Sequence, residues 1–95
     1  MEFPHSSYKW RKLPGEFMTE IAERARSLRK QMGYSQKKLA ELSGVSWGSV
    51  KRFETTGQIS LESLLKIALI LEATDGFELL FPPELTPESL DELFD

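Results

Sequence analysis

Acid–base and nucleophilic chemistry have little to work with in this sequence. It has no cysteine, which removes thiol catalysis, disulfides and thiolate metal sites. Its one histidine, His5, has no second imidazole with which to cage a metal and no partners for a catalytic triad. Asp91, Glu92 and Asp95 could act as acids or bases, but no pattern around them would build a pocket. No enzyme activity, metal or cofactor is expected. The residues with chemistry to offer are basic: Lys37 and Lys38 in one short segment, Lys51 and Arg52 in the next. Ammonium and guanidinium groups neutralise phosphates, and an arginine fork can also hold the two acceptors of guanine.

Charge is sorted along the chain in the same sense. Residues 1–58 carry eleven lysines and arginines against six acids; residues 59–95 carry Lys66 alone against nine acids. The net charge of −3 therefore conceals a basic front and an acidic back. A basic front suits a polyanion, although a solvated surface with an accidental bias would give the same counts. Ninety-five residues support one small core, without a deep substrate cleft beside it. No apolar run nears the ~20 residues of a membrane span, and the front lacks the apolar stretch of a secretory signal. A cytoplasmic domain with no membrane contact is expected.

The elements that would position the basic residues are all helical. Phe17, Ile21, Ala25, Leu28 and Met32 recur at helical spacing, and Gly33 can stop the helix they predict over 17–32. Ser35 can cap a second helix over 36–43, with Leu39 and Ala40 inward. Ser46 can cap a third over 47–54, with Val50 and Phe53 inward, closed by Thr55, Thr56 and Gly57. Ser60 can cap a fourth over 61–72, and a last short helix over 75–81 meets Pro82 and Pro83. The fold class is all-α: a compact bundle of about five short helices. An N-terminal arm (1–15) precedes the domain (16–83), and an acidic tail (84–95) follows. In the arm, Tyr8 to Lys12 interleave aromatic and basic side chains, which suits either DNA contact or packing on the domain.

The segment 36–53, QKKLAELSGVSWGSVKRF, sets two short helices around a three-residue turn, Ser43-Gly44-Val45. Ala40 is small enough for the helices to cross. Gly44 accepts a left-handed turn. Leu39, Val45, Val50 and Phe53 can anchor one helix on the other. These spacings suit a helix-turn-helix, with a generic helical hairpin as the plainer reading.

From about Glu20 to Leu80 the chain resembles the Cro/cI-type (Xre-like) helix-turn-helix family of phage and bacterial repressors. The resemblance rests on RKQMGYSQKKLAELSGVS and on FETTG. It implies a phage-repressor-like fold, double-stranded DNA as partner and no catalysis. It implies that Gln36 braces the DNA backbone and that Trp47, Gly48 and Ser49 face base edges. Lys51 and Arg52 then stand where the family makes base or phosphate contacts. Arg29 and Glu54 match a structural ion pair. Trp47 and Gly48 replace the polar readers common at those positions, so the family's base preferences do not transfer. Two occupants suit Trp47: a DNA sugar or thymine methyl, or the chain's own arm. Lys37 and Ser46 complete the expected DNA face, because the N-termini they flank offer free backbone N–H groups to phosphates. Phe53 and GQISLESLLKIALIL look most like the HipB-type subgroup, whose members are antitoxins beside a HipA-type kinase toxin and repress their own operon.

The fourth helix is apolar over more than one stripe, which asks for a second cover. A homodimer would supply it, with Ile67, Ile70, Leu79 and Phe81 as interface candidates. A protein-interaction module with vestigial DNA binding is the competing reading. In it the acidic tail, with Leu90, Leu93 and Phe94 on one helical face, would bind a partner protein.

Overall fold

The computed structural model describes residues 12–83. Four α-helices and a 3-10 turn make up these residues, with no strand among them. We number the helices α1 (Pro14–Gln31), α2 (Gln36–Ser43), α3 (Trp47–Thr56) and α4 (Leu61–Ile70); the 3-10 turn is Asp75–Leu79. The all-α expectation holds, but the last helix is a 3-10 turn rather than an α-helix. Most of the N-terminal arm and all of the tail lie outside the described residues.

α1 begins three residues before the apolar stripe does, inside the segment expected to be arm. Pro14 takes the first helical position, where its missing N–H costs nothing. Glu16 then reaches back, its Oε1 accepting from the Leu13 N–H at 2.9 Å. Four of the five stripe residues, Ile21, Ala25, Leu28 and Met32, pack against the core and Ala22 joins them, whereas Phe17 is exposed, with the Lys12 ammonium 5.7 Å from its ring centre.

The other three helices start at serine caps. Ser35, Ser46 and Ser60 accept from the N–H groups of Lys38, Ser49 and Ser63 at 3.0–3.1 Å. α3 runs on through Thr55 and Thr56, whose hydroxyls donate to the carbonyls of Lys51 and Arg52. α4 ends at Ile70 rather than Glu72, because Glu72 takes a left-handed conformation (φ 54°) and turns the chain away. α1 packs on α3, and α2 packs on both α3 and α4. Ala22, Leu39, Ala40, Val45, Val50, Phe53, Ile67 and Leu71 form the core between them.

Ile67 is 1% exposed in this core, so it offers no surface to a second chain. This corrects its place among the interface candidates. Its neighbours on α4 explain the misreading: Leu61 and Leu69 carry the exposed apolar surface, and Ile67 faces inward.

Two helix ends separate backbone strain from crowding. Gly44 and Gly57 both hold left-handed φ, +78° and +81°. A Cβ at Gly44 would meet nothing within 4 Å, whereas one at Gly57 would lie 2.9 Å from the Met18 backbone carbon. We expect Gly44→Ala to lose about 1–2 kcal/mol from backbone strain alone. Gly57→Ala should lose about 2–5 kcal/mol, since overpacking against α1 is added. Urea denaturation of the two variants checks the ranking, and equal losses would refute it.

Candidate nucleic-acid interface

α3 turns Val50 and Phe53 into the core and leaves Trp47, Gly48, Ser49, Lys51 and Arg52 exposed. The turn before it is fixed locally. The Gly44 N–H donates to the Ala40 carbonyl at 3.0 Å, and the Val45 N–H donates to Ser43 Oγ at 3.2 Å. Val45 is then buried, which pins the start of α3 against the bundle.

Three of the expected DNA-facing residues come together. The Lys51 ammonium lies 4.2 Å from the centre of the Trp47 ring and the Lys37 ammonium 5.6 Å from it, both within cation–π range. The first turn of α2 and the first turns of α3 thereby share one aromatic surface. Ser46, the cap, donates from Oγ to Ser49 Oγ at 2.8 Å. Arg52 points elsewhere: its Nη2 donates to Gln58 Oε1. Ser49 and Arg52 line a shallow groove with Gln58, Ile59, Ser60 and Ser63, beside the N-terminus of α4.

Gln36 is half-buried, and its Nε2 donates to Glu54 Oε1 at 2.9 Å. That amide still has a second proton for a phosphate, but its position is set by the protein. Glu54 also receives Arg29, with Nε to Oε2 at 2.7 Å and Nη2 to Oε1 at 3.0 Å. Arg29 Nη1 donates to the Tyr34 carbonyl at 2.7 Å. The side chains of Arg29 and Glu54 are 8% and 3% exposed, so the pair ties α1 to the last turns of α3 from inside. Burial works against the charged form of Glu54. The hydrogen bonds from Arg29 and Gln36 and the charges of Arg29 and Arg26 together outweigh it, holding the carboxyl below its ordinary value.

Of the remaining interface candidates, Ile70 is half-buried, while Leu79 and Phe81 are exposed, at 75% and 94%. Sequence reasoning missed Gln58 as the holder of Arg52 and Gln36 as the third member of the Arg29–Glu54 network. Neither had a signal, because both are contacts between elements. Among the described residues no cluster of His, Asp or Glu could hold a metal, and no helix is long and apolar enough to cross a membrane.

A family model described as helix-turn-helix matches residues 26–77. That span is more than half of the chain, and it takes in the end of α1, the α2-turn-α3 unit and α4. Nothing among the curated proteins matches the chain.

Proposed function

The chain belongs to the Cro/cI-type helix-turn-helix family of DNA-binding regulators, and we propose that it acts as a dimeric, sequence-specific repressor. The observation that carries the proposal is the division of α3. Its inner face is anchored by Val50 and Phe53, while its outer face carries Trp47, Lys51 and Arg52 into solvent next to Lys37. Such a helix is anchored on one side and presents cationic and aromatic side chains to a groove on the other.

The test is duplex binding across a salt series. Each phosphate neutralised should contribute a slope of about −0.9 in log affinity against log salt, so affinity should fall steeply as salt rises. A preferred sequence should emerge from competition with random duplex. Salt-independent binding, or equal affinity for every sequence, would overturn the proposal.

The dimer rests on exposed apolar surface. Leu69, Leu79, Leu80 and Phe81 stand 56–94% exposed at the end of α4 and beyond it. A symmetric pair would cover them and set two recognition helices about one DNA turn, ~34 Å, apart. Sedimentation without DNA at micromolar concentration should give a dimer, and Leu79→Glu with Phe81→Glu should give a monomer. A wild-type monomer under those conditions counts against it.

Partnership with a HipA-type kinase toxin is the finest part of the proposal. Its support is sequence alone: the likeness of 57–71 to HipB-type antitoxins, and five acids in 84–95 with which to meet a basic partner.

A further inference from the structure

The outer face of α3 has few polar groups free to read a base. Ser49 Oγ is tied to Ser46 Oγ at 2.8 Å, and the Arg52 guanidinium is held by Gln58. Thr55 and Thr56 bond back to their own helix. Lys51 lies over Trp47. What stands clear is the indole, 46% exposed at the first position of the helix, with ammonium groups 4.2 and 5.6 Å from its ring centre. Gly48 beside it has ordinary helical φ, and a Cβ there would meet nothing within 4 Å. The fold gives no reason for a glycine at that position. A glycine there adds no side chain beside the indole, so that the backbone can approach a base pair closely.

We propose that Trp47 is the specificity-determining residue and that it reads the C5-methyl group of a thymine in the major groove. Lys51 and Lys37 are positioning residues that fix the plane of the indole. The inference rests on the reading of this chain as a duplex-DNA binder and states what that surface reads. Apolar contact with the C5-methyl group distinguishes thymine there, and the indole ring supplies that apolar surface beside its one N–H donor.

The test begins with selection of preferred duplexes from a random library by the full chain. Each thymine in them is then exchanged, one at a time, for deoxyuridine, which removes a methyl group and no hydrogen-bonding atom. At least one exchange should weaken wild-type binding about fourfold, the worth of one methyl-sized apolar group. The same exchange should change nothing for Trp47→Ala, and the penalty should shrink for Lys51→Met at unchanged melting temperature. The wild-type arm needs no variant to fold. The proposal is overturned if every exchange leaves wild-type affinity unchanged, or if the penalty survives in Trp47→Ala. A full penalty in Lys51→Met would overturn the positioning role. Failure to select any sequence would remove the DNA-binding reading itself, and this inference with it.

Discussion

Replacing Arg29 by methionine should cost about 3–5 kcal/mol of folding stability, because it leaves a buried carboxylate without its cation. A domain of this size has only about 5–14 kcal/mol in total, so the variant should be close to unfolding at 37 °C. The pair is largely shielded from water, with both side chains under a tenth exposed, and three hydrogen bonds fix the guanidinium. Replacing both partners, Arg29→Met with Glu54→Leu, should be much milder than the sum of the single changes. Two charges then leave the interior together, and only the Gln36 amide and Tyr34 carbonyl lose partners. Urea denaturation of the two single variants and the double completes the cycle. Additive losses would show that the two residues act separately.

The same pair sets a pH dependence whose sign follows from Glu54. Its carboxyl titrates below its ordinary value near 4.5 in the folded chain. A depressed folded pKa contributes stability that is fully present above 4.5 and is lost as pH falls through the folded value. The stability gap between wild type and Glu54→Gln should therefore be complete at neutral pH and close in acid. A gap that stays constant from pH 7 to pH 3 would show that the charge of Glu54 contributes nothing.

The caps of α2, α3 and α4 were legible because each is a local pattern. A serine precedes each of the three helices, and a glycine that takes positive φ follows α2 and α3. The start of α1 was not, since Pro14 and Gly15 read as breakers until the Glu16 carboxylate is seen to cap the Leu13 N–H. The inner stripe of α1 was legible except at its first member. Spacing puts Phe17 on the stripe, but only the fold shows that its side chain stays exposed while the Met18 backbone beside it meets the end of α3 at Gly57. Ile67 shows the same limit on α4. Eight apolar residues in that helix and its cap leave the buried side undetermined until α2 is laid against it. On the recognition surface, residue type was legible and engagement was not. Nothing in the spacing of Arg52 and Gln58 says that one holds the other, or that Lys37 and Lys51 converge on Trp47 from two helices.

Engagement of that kind decides what Lys51 and Arg52 contribute. Lys51→Ala with Arg52→Ala should weaken binding to the preferred duplex by about 10²–10⁴-fold, since each charged contact is worth about 1.5–3 kcal/mol. The single changes should differ in character. Gln58 holds the Arg52 guanidinium in the groove beside the α4 N-terminus, where free backbone N–H groups also favour a phosphate. Arg52→Ala should then weaken preferred and random duplex alike and make the salt dependence shallower by about one unit of slope. Lys51 lies against the indole, so Lys51→Ala should also narrow the ratio between preferred and random duplex. Binding to both duplexes over a salt series separates these outcomes for each variant. If Arg52→Ala instead relaxes preference at a single guanine, the arginine reads that base bidentately and DNA must break its bond to Gln58 to reach it.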